Sequence, residues 1–94
     1  MSLTARELDR AWDKLGMEIR ESKHRNALLR VDGKLVLRTA RSHGTRMLDG
    51  KIPNEIRKQM RLNKQQFEDL IACPLGRDGY LKILEQQGLI PSKD

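Results

Sequence analysis

Aromatic side chains are nearly missing from this sequence, with one Trp, one Tyr and one Phe among 94 residues. Its core must be filled by Leu, Ile, Val and Met, and at 37% apolar residues it will be a modest one. Cysteine is scarcer still. Cys73 alone excludes an internal disulfide and offers no CxxC spacing for zinc. Its place at the end of an apolar stripe, just before Pro74, reads as a buried structural thiol rather than a nucleophile. No apolar run approaches the ~18 residues that a membrane span requires, and the opening residues show no signal-peptide pattern. Repeats and long polar tracts are absent too, so disorder is expected only at the ends. Together these absences predict one cytoplasmic domain with no structural metal and no cofactor.

Several chemistries drop out as well. No GxxxxGK phosphate loop occurs, and "LGRDGY" lacks the dinucleotide-binding spacing and follows a helix. The acids are dispersed and give no carboxylate pair for glycoside hydrolysis. What is present is positive charge, and it is regional. Residues 1–17 balance, residues 18–64 carry thirteen Lys or Arg against five acids, and residues 65–94 carry three against five. A localised basic excess is the footprint of a polyanion partner, because each cation near a phosphate releases a counterion. Nucleic acid is the favoured partner class.

Helical spacing opens the chain. Thr4 and Glu7 form a capping box, Leu8, Ala11, Trp12 and Leu15 share a stripe, and Gly16 stops the helix. Met17, Ile19 and Glu21 alternate as a short strand. "ALLRVDGKLVLR" then gives two β runs around Asp32-Gly33, a two-residue type I′ hairpin. Its regular register pairs Val31 with Lys34, Leu29 with Val36, Leu28 with Leu37 and Ala27 with Arg38, and sets His24 opposite Arg41. Ala27, Leu29, Val31, Val36 and Ala40 then form the helix-covered face, unless a bulge swaps the faces. "RMLDGKIP" reads as a loop. Ile52, Ile56 and Met60 mark a helix with Pro53 in its first turn, Asn63 and Gln66 cap the next, and the last runs from about Asp78 to Gln87. The expected class is α+β, a three-stranded antiparallel sheet in α-β-β-β-α order followed by two extra C-terminal helices.

His24 is the residue with chemistry to offer. It lies between Lys23 and Arg25 at a strand start, two residues after Ser22. An imidazole among cations can take and return a proton near neutral pH while the cations hold a phosphate. Those are the means to cleave RNA through its own 2′-hydroxyl without a metal. His43, in "RSHG", suits a turn, with a second proton or a phosphate contact as its other possible use.

The opening helix ending at "LG", the "SKH" segment, the "DGK" hairpin, the basic strand reaching "RSHG" and the helix "IPNEIRKQMRLN" resemble the HicA toxins. These are small mRNA interferases of HicAB toxin–antitoxin systems with a double-stranded-RNA-binding-domain-like fold. The resemblance covers residues 4–63 or so and implies a HicA-like core over 1–63. It implies His24 as the catalytic residue, RNA as substrate and a HicB-like antitoxin as protein partner. Ser22, Lys23, Arg25, Arg38, Arg41, His43 and Lys58 are the expected nucleic-acid-binding residues. Glu21 stands where the family usually has glycine, and the third strand lacks the family's usual proline. Residues 64–94 have no counterpart in a minimal toxin. Their two apolar stripes could pack on the core, form a homodimer or cover the basic surface. The leading expectation is a ribonuclease. The alternatives are a non-catalytic nucleic-acid-binding module and a protein-interaction module on the same scaffold.

Overall fold

A computed structural model of the chain describes residues 3–43, 47–72 and 74–91; the sequence readings of Gly44 and Cys73 lie outside them. The elements are β1 (Leu3–Thr4), α1 (Ala5–Lys14), β2 (Glu18–Glu21), β3 (His24–Val31), β4 (Lys34–Ser42), β5 (Met47–Leu48), α2 (Ile52–Gln59), α3 (Lys64–Ile71) and α4 (Arg77–Gln86). The fold is mixed α+β, with a three-stranded antiparallel sheet in the order β2-β3-β4 and four helices. Two short strands depart from the expected order. The segment read as a loop contains β5, which pairs antiparallel with β1, Leu3 opposite Leu48. Both leucines are buried in the core. A two-residue strand is too short to show periodicity, so the pairing becomes visible only when the start of the chain meets its middle.

Local chemistry sets the helix limits as expected. The Glu7 N–H donates to Thr4 Oγ1 (3.1 Å) and the Thr4 N–H to Glu7 Oε1 (2.9 Å), closing both halves of the capping box before α1. Asn63 and Gln66 do the same before α3, at 2.7 and 2.9 Å. Gly16 takes φ 68°, so its N–H reaches the Asp13 carbonyl while that of Met17 reaches Trp12. This is the paired closure that a left-handed residue permits.

The hairpin turn is the predicted one, with Asp32 and Gly33 both at positive φ (53° and 81°). Beyond it the register slips. Val31 pairs with Lys34 and Arg30 with Leu35, but Leu29 then pairs with Leu37, so Val36 is an extra, unpartnered residue. One extra residue moves every later side chain of β4 to the other face. Leu37, Thr39 and Arg41 turn toward the helices with Leu29, Ala27 and Arg25, while Arg38, Ala40 and Ser42 turn away with Leu28, Asn26 and His24. The regular register is thus corrected at every pair past Arg30. Val36 stays packed against the core, Ala40 leaves the covered face, and buried Thr39 enters it. The Thr39 hydroxyl donates to Gln59 Oε1 at 2.6 Å, satisfying the buried oxygen and fastening α2 along the β4 edge.

The C-terminal helices pack inward. Phe67 and Leu70 of α3, Tyr80 and Leu84 of α4, and Ile90 join one apolar cluster with Leu3, Leu8, Trp12 and Leu29. Four side chains also close helix-end carbonyls on other helices. Lys14 Nζ donates to the Leu70 carbonyl (2.9 Å), Arg77 to Leu15, the Tyr80 hydroxyl to Met60 (2.8 Å) and Gln87 to Arg61 (2.7 Å).

Burial raises the Tyr80 phenol well above the usual value of 10. Its contribution to stability is therefore full below pH 10 and falls as pH rises further, when the unfolded tyrosine ionises and the folded one holds its proton. Tyr80→Phe is expected to lose about 1–2 kcal/mol in urea unfolding at pH 7, from the buried hydrogen bond. The variant should also lose less stability than the parent between pH 9 and 11. Unchanged stability at pH 7 would show that the Met60 contact contributes nothing.

Candidate nucleic-acid interface

Three carboxylates sort the positive charge of the sheet. Asp9, on the sheet-facing side of α1, accepts from Arg41 through both oxygens (Nε 3.0 Å, NH2 2.8 Å) and from Arg25 Nε at 3.3 Å. Arg25 and Arg41 are directly opposite one another in the β3–β4 register. Two cations so placed repel, and the carboxylate between them converts repulsion into a bridge from sheet to helix. Glu21 pairs with Arg25 across β2 and β3. Glu18 pairs with Arg20 and Arg30 on the open face; Arg20, and after it Arg30, hold its carboxyl below the usual range.

Four arginines are thus matched by three acids. Among the described residues, Lys23, Arg38, Lys58 and Arg61 form no ion pair, and all four are exposed. The paired set faces α1 or β2, whereas exposed Arg38, Lys58 and Arg61 lie along β4 and the end of α2.

His24 is exposed as the first residue of β3, opposite Ser42 rather than Arg41. It lines a shallow groove of about 200 Å³ off the β4 edge, together with Arg41, Ser42, Leu48, Ile52 and Glu55. Arg41 still reaches this groove, but Asp9 and the Ser42 carbonyl engage its guanidinium. The backbone around His24 is well tied. The Ser22 N–H donates to the His24 carbonyl (3.0 Å), which also accepts from Asn26 Nδ2 (3.0 Å). His43 Nε2 lies 3.1 Å from the Ser22 carbonyl. A carbonyl can only accept, so the His43 ring donates from Nε2 and its role here is to clasp the Ser22 turn to the end of β4.

Of the expected residues, the fold brings His24 and Arg41 to one groove, with Lys23 and Ser22 in the adjoining turn. Arg38 and Lys58 line a second groove further along the β4 edge, with Arg61. Arg25 faces α1. Sequence reasoning missed two residues. Glu55 lines the His24 groove and is the one acid of a helical segment rich in Lys and Arg, which was its available signal. Asp9 carried none, because its partners are 16 and 32 residues away.

No family model, curated protein or solved structure matches the chain.

Asp9→Asn should cost about 2 kcal/mol, between the values for exposed and buried ion pairs, because Arg41 is mostly buried and would keep its charge without a counter-ion. Urea unfolding at low and high salt reads this directly. A loss below about 0.5 kcal/mol at low salt would show that the arginines find water instead.

Proposed function

We propose that this chain binds RNA and cleaves it in the manner of the HicA mRNA interferases, on a double-stranded-RNA-binding-domain-like scaffold, with His24 as a general acid–base. The observation that carries the proposal is the open groove that exposed His24 and the Glu55 carboxylate both line. One group takes the proton of a 2′-hydroxyl as its oxygen bonds to phosphorus. The other gives a proton to the departing 5′-oxygen as that P–O bond breaks. The products are a 2′,3′-cyclic phosphate and a 5′-hydroxyl, and no metal or cofactor enters the balance. Lys23, next to His24 in the chain, is the cation assigned to stabilise the phosphorane, assisted by the outer N–H groups of Arg41. A HicB-like antitoxin belongs to the same proposal. Exposed Met47 and Ile52, beside the groove, are the apolar side chains such a partner would cover.

One observation favours a second reading, a non-catalytic RNA-binding module. Glu21 and Asp9 already neutralise Arg25 and Arg41, leaving fewer cations to meet the phosphorane. On that reading RNA is retained, its affinity falls as salt rises, and no cleavage products form.

His24→Ala is expected to lower cleavage of a defined RNA at least 100-fold and Glu55→Gln on the order of 100-fold, with RNA affinity held within a few-fold in both. The readout is product termini on a gel, with expression toxicity as a parallel measure. Equal RNA loss in parent and His24→Ala would end the catalytic assignment, and binding without products from the parent would select the second reading.

A further inference from the structure

Thr39 and Gln59 divide the seam between β4 and α2 into two grooves. One contains His24. The other, nearer the hairpin turn, is lined by Arg38 from the strand and by Lys58 and Arg61 from the end of the helix. All three cations are exposed, and none forms an ion pair among the described residues. Cations near a helix C-terminus are favoured by the helix dipole, and that accounts for Lys58. It does not account for Arg38, which the β4 bulge turns onto the open face of the sheet.

Arg61 is the more telling residue. It follows α2 at φ 62°, in the left-handed region where a side chain is strained. Its N–H reaches the Lys58 carbonyl and that of Leu62 reaches Arg57. The same closure ends α1 at Gly16 and α4 at Gly88, both glycines at positive φ. Two of these three closures use the residue that the backbone favours. The third keeps an arginine there, and its side chain lines the basic groove. A strained residue held at a surface groove points to a use for the side chain.

A further observation bears on what the groove can recognise. Every Trp, Tyr and Phe of the chain is in the core, Trp12 and Tyr80 at 0% and Phe67 at 1% exposure. Proteins that read single strands base by base commonly stack them on exposed Trp, Tyr or Phe rings, and the Arg38–Lys58–Arg61 groove is lined by no ring of any kind.

We propose that Arg38, Lys58 and Arg61 form a second phosphate subsite, which holds the backbone of single-stranded RNA a few nucleotides from the bond facing His24. Ser42 to Arg38 is four residues of strand, about 13 Å, so one nucleic-acid strand can lie along the β4 edge and touch both grooves. The subsite grips phosphates and is indifferent to bases. It deepens the RNA-binding reading above and rests on it.

The test is fluorescence anisotropy with labelled 12-nucleotide oligo-U and oligo-A, titrated at several salt concentrations. The His24→Ala background prevents cleavage, and Arg61→Gly and Arg38→Gln are compared within it. Arg61→Gly removes the strain and the charge together, so it should melt no lower than its background. Each variant is expected to bind both RNAs several-fold more weakly, with the slope of log affinity against log salt shallower by about 0.7 per lost phosphate contact. Unchanged affinity and slope in both variants, with the background still binding RNA, overturns the subsite and leaves the RNA reading standing. No RNA binding by the background overturns both. A preference of more than tenfold between oligo-U and oligo-A overturns the claim that the grip is indifferent to bases.

Discussion

One extra residue in β4 decides what this protein presents to solvent. Val36 has no partner across the hairpin, so side chains between Leu37 and Ser42 point opposite to where a regular ladder would send them. Without that slip Arg41 would face outward opposite His24, Thr39 would lie on the open face, and Arg38 would be driven toward the helices. With it, Arg41 lands beside Arg25 under α1, where a lone acid can hold both. The bulge thereby determines which arginines are structural and which remain available to a ligand.

The excess of positive charge has a corresponding division of labour. Asp9 and Glu18 each hold two arginines that the sheet brings together, and Glu21 holds Arg25 a second time. Their effect is to let a dense basic sheet fold. Of the cations they leave alone, Arg38, Lys58 and Arg61 meet in one groove between β4 and α2. Formal charge along the sequence describes the total; only the register reveals the fraction with an electrostatic field open to solvent.

Much of the architecture was legible in the chain because its signals are local. Thr4 with Glu7, Asn63 with Gln66, the Asp32-Gly33 turn and the Gly16 stop each act within a few residues, and each is present. The α+β class and the helical stripes followed from the same kind of evidence. What could not be read depends on distance. Val36 resembles its neighbours in composition, and nothing local marks it as the bulged residue. Leu3 and Leu48 look like loose apolar residues until their short strands meet. At the candidate site the same rule holds: His24 stood out by its neighbours, whereas Glu55 reaches it from another element and Asp9 finds its arginines across the sheet.

The helix ends have a consequence for how the chain opens. Lys14, Arg77, Tyr80 and Gln87 each close a carbonyl at the end of a helix other than their own. A helix that caps itself can fray alone, but here loosening α4 uncovers the ends of α1 and α2, and loosening α1 uncovers that of α3. Local openings are therefore coupled. Amide protons of the sheet and of the last helix should then share a single slow exchange regime, with no separate opening of the C-terminal helices.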